Sequence, residues 1–179
     1  MGARIIALGQ PAAGDDGVGL AVLERLRASV SSGVELCMAA DATDLLALLA
    51  TPDPVVLVDA LLGEPAGGVC EVAPEALDAR SARAVSSHGL GVGEAIATAR
   101  ALYPESIAPR ISVVAVAIGR PSSYREGLSP GVAAAVDGAA ALALSLAGES
   151  RTTEVPASCR PNAGRDGSCA NVLRAPVSR

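Results

Sequence analysis

Short apolar runs alternate with helix-spaced apolar positions over residues 1–147, and the pattern stops there. Residues 4–8 read Arg-Ile-Ile-Ala-Leu and end at Gly9, as expected of a buried parallel strand. A loop from Gln10 to Gly14 leads to Asp15 and Asp16. Val18, Leu20, Ala21, Val22, Leu23 and Leu26 then recur at helical spacing, which predicts a helix to about Ala28 with an aspartate able to cap its start. Residues 34–38 read as a second strand, and 43–49 as a short helix with Asp41 or Thr43 near its cap. Residues 54–58 read as a third strand ending at Asp59.

The next apolar segment, residues 69–72, follows after a gap too short for the crossover a parallel neighbour requires, so this fourth strand is expected to run antiparallel. Ser86-Ser87-His88-Gly89 precedes a predicted helix over 92–102. Residues 111–118 are the most strand-like of the chain, and 130–146 form an alanine-rich helix with Ser129 as cap and Pro130 in its first turn. These pieces predict a three-layer α/β/α sandwich. From residue 148 onward Ser, Pro, Arg, Gly and Asn dominate. The expected organisation is therefore one domain over 1–147 and a flexible tail over 148–179.

Composition narrows the function. Half of the 179 residues are hydrophobic and 18% are charged, which suits one self-sufficient core. Phe and Trp are absent and the net charge is −5, so stacking on bases and neutralisation of phosphates are both disfavoured; no nucleic-acid partner is expected. Lys is absent too, which excludes Schiff-base and phosphate-loop lysine chemistry. Cys37, Cys70, Cys159 and Cys169 form no Cys-x-x-Cys pair and no secretory leader precedes them. A cytoplasmic, thiol-state protein with no membrane span is expected.

Ligands of open α/β sheets gather at the carboxyl ends of the strands. Asp16 after the first strand, Asp59 at the end of the third and His88, the chain's only histidine, all belong to loops that can reach that edge. Each also has a structural reading. Asp15 and Asp16 fit helix capping, with the cap assigned to Asp15 and the open site to Asp16; Asp59 fits an Asp turn, and His88 a loop or capping residue. A dinucleotide site is disfavoured, because the glycines at 9, 14, 17 and 19 lack the Gly-x-Gly-x-x-Gly spacing and two carboxylates stand where a pyrophosphate needs donors. Cys37 and Cys70 lie in predicted strands and read as core rather than as nucleophiles.

The segment Gly9-Gln10-Pro11-Ala12-Ala13-Gly14-Asp15-Asp16-Gly17-Val18-Gly19 resembles the N-terminal signature of the hydrogenase maturation proteases. Val58-Asp59-Ala60, Ser87-His88 and Gly127-Leu128-Ser129-Pro130 resemble that family's later motifs, in the same order. The resemblance extends from Met1 to about Ala147. Ala7 and Gln10 depart from it, standing where the family usually has glycine and asparagine.

The resemblance implies a phosphorylase/hydrolase-like fold with a mixed, mostly parallel five-stranded sheet between helices. It also implies removal of a C-terminal extension from a nickel-iron hydrogenase large-subunit precursor after nickel insertion. Asp16, Asp59 and His88 are the implied metal ligands, and the nickel is carried by the precursor, which is the expected partner. Carboxylates and an imidazole suit such a divalent first-row metal. The nucleophile is then expected to be water, polarised by nickel or activated by Asp16 or Asp59. Two other readings remain: a nickel-recognition module that does not cleave, and a phosphorylase-like enzyme, which would need a basic phosphate site.

Overall fold

The computed structural model describes residues 2–10, 14–30, 33–77, 91–120 and 127–148. Five strands form one sheet: β1 (Ala3–Leu8), β2 (Val34–Ala39), β3 (Val55–Leu62), β4 (Val69–Val72) and β5 (Ile111–Ile118). Their order is β2-β1-β3-β5-β4, with β1, β2, β3 and β5 parallel and β4 antiparallel to β5. The direction of β4 follows from its short connection. After β3 the chain has only 63–68 in which to turn, so it re-enters beside β5, with Val69 opposite Val116 and Val72 opposite Val113.

Helices cover both faces, completing the expected sandwich. On one face α1 (Val18–Arg27) and α4 (Pro130–Leu146) pack Val18, Val22, Leu26, Val132 and Ala139 against Ile5, Val56, Val58, Val114 and Val116. On the other face α2 (Leu45–Leu48) and α3 (Val92–Leu102) pack Leu45, Ile96 and Ala99 against Ile6, Leu57 and Val113. Without Phe or Trp, tight packing comes from largely β-branched strand residues set against Val, Leu, Ile and Ala of the helices; each Val, Leu or Ile so buried contributes roughly 1.5–3 kcal/mol of transfer free energy. No helix among the described residues is long and apolar enough to cross a membrane.

Two local expectations need correction. The third strand does not end at Asp59: it continues to Leu62, because β5 offers partners as far as Ile118, opposite Leu62. Nor does Asp15 cap α1. A 3-10 turn, Gly14–Gly17, leads into that helix, whose N-cap is Gly17 with no side-chain cap bond. The expected tail, with Cys159 and Cys169, lies outside the described residues apart from Gly148.

Candidate active site

The site is built where β1 stops and β3 does not. Pairing between these strands ends at Ala7 opposite Val58, so Asp59 is the first β3 residue beyond the β1 partnership, while on its other side it still pairs with Ala115 of β5. Strand alternation puts Asp59 on the same face as Val55, Leu57 and Leu61, the face covered by α2 and α3.

Glycines bring Asp16 to it. Gly9 leaves β1 with a φ of 131°, and a Cβ there would lie 2.4 Å from the Asp16 carbonyl oxygen. A Cβ on Gly19 would lie 2.2 Å from the carbonyl oxygen of Leu8 and 3.0 Å from that of Val58. Only glycine lets the first turn of α1 rest directly on the ends of β1 and β3. That close approach sets the Gly14–Gly17 turn over the same strand ends.

The two carboxylates consequently sense one another. Asp59 keeps some accessible surface, but the surrounding strand ends strip it of water and push its pKa up to about 7; a hydrogen bond donated by the Ala60 amide at 2.8 Å opposes the shift, and the Asp16 charge adds to it. Burial also raises the pKa of Asp16. A cation arriving between them would favour both ionised forms, so the donor set fits a hard or borderline divalent metal. Among the described residues no third His, Cys, Asp or Glu completes a metal-binding group.

His88 lies outside the described residues. The end of α3 leads through Tyr103 to Ile107, which bridges Ala50 just ahead of β3. The start of α3 lies against Leu77, which follows β4, since a Cβ on Gly93 would lie 2.5 Å from the Leu77 carbonyl oxygen, and its N-cap Gly91 is three residues after His88 in the chain.

Asp15 has a role that spacing within its own loop did not reveal. Its Oδ1 accepts a 2.5 Å hydrogen bond from the backbone amide of Ser129, the N-cap of α4. Ser129 and Pro130 do open that helix as expected, although the Ser129 hydroxyl makes no cap bond. Gly9 and Gly19 were legible only as part of a glycine-rich loop; their close contacts are set by strand ends distant in sequence.

Beside the turn runs a groove of about 430 Å³, lined by Gly14, Gly17, Leu20, Met38 and Leu128 among others. Met38 is 56% exposed there, unusual for a large apolar side chain. Of the cysteines described, Cys70 is buried in the core and the Cys37 thiol has its pKa raised, chiefly by burial; neither environment activates a thiolate.

No protein-family model matches this sequence, and neither does any curated protein. Solved structures do match. The hydrogenase-maturating endopeptidase HybD from E. coli superposes with a TM-score of 0.66 at 20% identity, over 81% of this chain and 91% of that one. The chain has the fold of that endopeptidase. The [NiFe] hydrogenase maturation protease HybD from Thermococcus kodakarensis gives a TM-score of 0.61 at 24% identity, over 82% and 99% of the two chains. HycI, a second such protease from that organism, gives 0.58 at 24% identity, over 82% and 92%.

Proposed function

We propose that this chain is an endopeptidase of hydrogenase maturation, removing the C-terminal extension of a nickel-iron hydrogenase large-subunit precursor once nickel is in place. The observation that carries the reading is the approach of Asp16, in the turn after β1, to Asp59, where β3 runs on past the end of β1, in a fold shared with proteases of that name. The motif resemblance makes both aspartates the implied metal ligands. The raised pKa of Asp59 supports the same role, because it comes chiefly from burial and to a lesser degree from the Asp16 charge, and a divalent cation would offset both.

On this reading the precursor presents its nickel to Asp16, Asp59 and His88, and its peptide lies along the groove bordered by Gly14, Gly17 and Leu128. Fixing the metal fixes the scissile bond beside Asp16 and Asp59, one of which takes a proton from the attacking water and returns it to the amine as the peptide bond breaks. On this reading the protein works in the cytoplasm. Intact-mass analysis of nickel-loaded precursor incubated with the purified protein tests the proposal. Loss of a C-terminal peptide is the expected result; stable binding without any mass change would instead identify a recognition module.

A further inference from the structure

The Asp15 carboxylate and the Ser129 amide are 114 residues apart in sequence and 2.5 Å apart in space. The geometry of α4 explains why the bond is made. In a capping box, the third residue of a helix sends a carboxylate back to the N-cap amide, as Glu94 does for Gly91 at the start of α3. In α4 the corresponding position is Val132, which is buried against the sheet and has no acceptor to offer. Asp15 supplies that acceptor from the loop after β1, and its negative charge meets the positive end of a 17-residue helix.

The start of α4 is itself anchored. A Cβ on Gly67, in the connection between β3 and β4, would lie 2.3 Å from the carbonyl oxygen of Gly131, so the first turn of α4 rests directly on the segment that follows Asp59 and the end of β3. Asp15 thus ties the Gly14–Gly17 turn to a helix end that is already seated on the β3–β4 connection. Asp16 is the next residue of that turn.

From this we infer that Asp15 is a positioning residue: by capping α4 in place of its own third residue, it holds Asp16 in register with Asp59. The inference rests on the proposed function only for the reaction it serves. Its test combines Asp15→Ala, which removes the acceptor, with Asp15→Asn, whose amide oxygen can accept the same N–H. All measurements are made at a temperature where circular dichroism shows each protein folded.

In Asp15→Ala the Ser129 amide should exchange with deuterium at least tenfold faster, and the side-chain carboxyl carbon resonance of Asp16 should move while that of Asp137, in the middle of α4, stays. Precursor kcat/KM should fall at least tenfold. Asp15→Asn should recover both spectroscopic signatures and bring kcat/KM to within about threefold of the wild type. An Asp16 resonance unchanged in folded Asp15→Ala overturns the inference, as does cleavage at the wild-type rate. A wild-type protein that cleaves nothing defeats the proposed function instead, and the two spectroscopic readouts still decide whether Asp15 places Asp16.

Discussion

Asp59 carries the electrostatic cost of the site. Its pKa of about 7, against an ordinary 3.8, means that between about pH 4 and pH 7 the folded protein retains a proton which the unfolded chain has released. Fewer protons bound in the unfolded state make stability fall as pH rises through that window, after which the loss is constant. Asp59→Asn removes the titration while keeping an oxygen for the Ala60 amide. In urea unfolding the variant should match the wild type near pH 4 and exceed it near pH 8, by on the order of a few kcal/mol. An equal gap at both pH values would contradict the assignment. At this scale the sequence singled out both aspartates but misassigned Asp15, because a capping partner 114 residues away leaves no local trace.

At the scale of elements, periodicity was a faithful guide wherever a segment buries one continuous surface. The bounds expected for β4, α3, β5 and α4 agree with those observed, since a glycine or polar residue stands just ahead of each, at Gly68, Gly91, Arg110 and Ser129. It failed at the end of β3, where continuation depends on how far β5 extends and not on anything within residues 59–62. The glycines divide in the same way. Gly19→Ala would drive a Cβ into the carbonyl oxygen of Leu8, and should destabilise the fold by about 1–3 kcal/mol while displacing the turn that carries Asp16. Gly138, in the middle of α4, meets nothing within 4 Å. Gly138→Ala should therefore stabilise by about 0.5–1 kcal/mol through helix propensity, with unchanged cleavage. Thermal unfolding of the two variants checks both signs.

Across the whole molecule, one edge of the sheet gathers the turn after β1, the middle of β3 and the start of α4, although these belong to three separate parts of the chain. That gathering was foreseeable from the alternation of strands and helices; how Asp59 stands relative to the end of β1 was not, because it depends on register. All residues assigned to the reaction precede Gly148, so a protein ending there should cleave precursor at the full rate, and a folded but inactive truncation would assign substrate binding to 149–179. The most direct test of the proposed function is its dependence on the metal carried by the substrate. Purified protein, incubated with precursor in nickel-loaded and nickel-free forms and followed by intact mass, is predicted to cleave only the loaded form. Asp16→Asn and His88→Ala, both still folded, should lose that cleavage, since three protein ligands leave room for the precursor's own donors but two do not hold it in place. Efficient cleavage of nickel-free precursor, or full activity in His88→Ala, would contradict recognition through the metal.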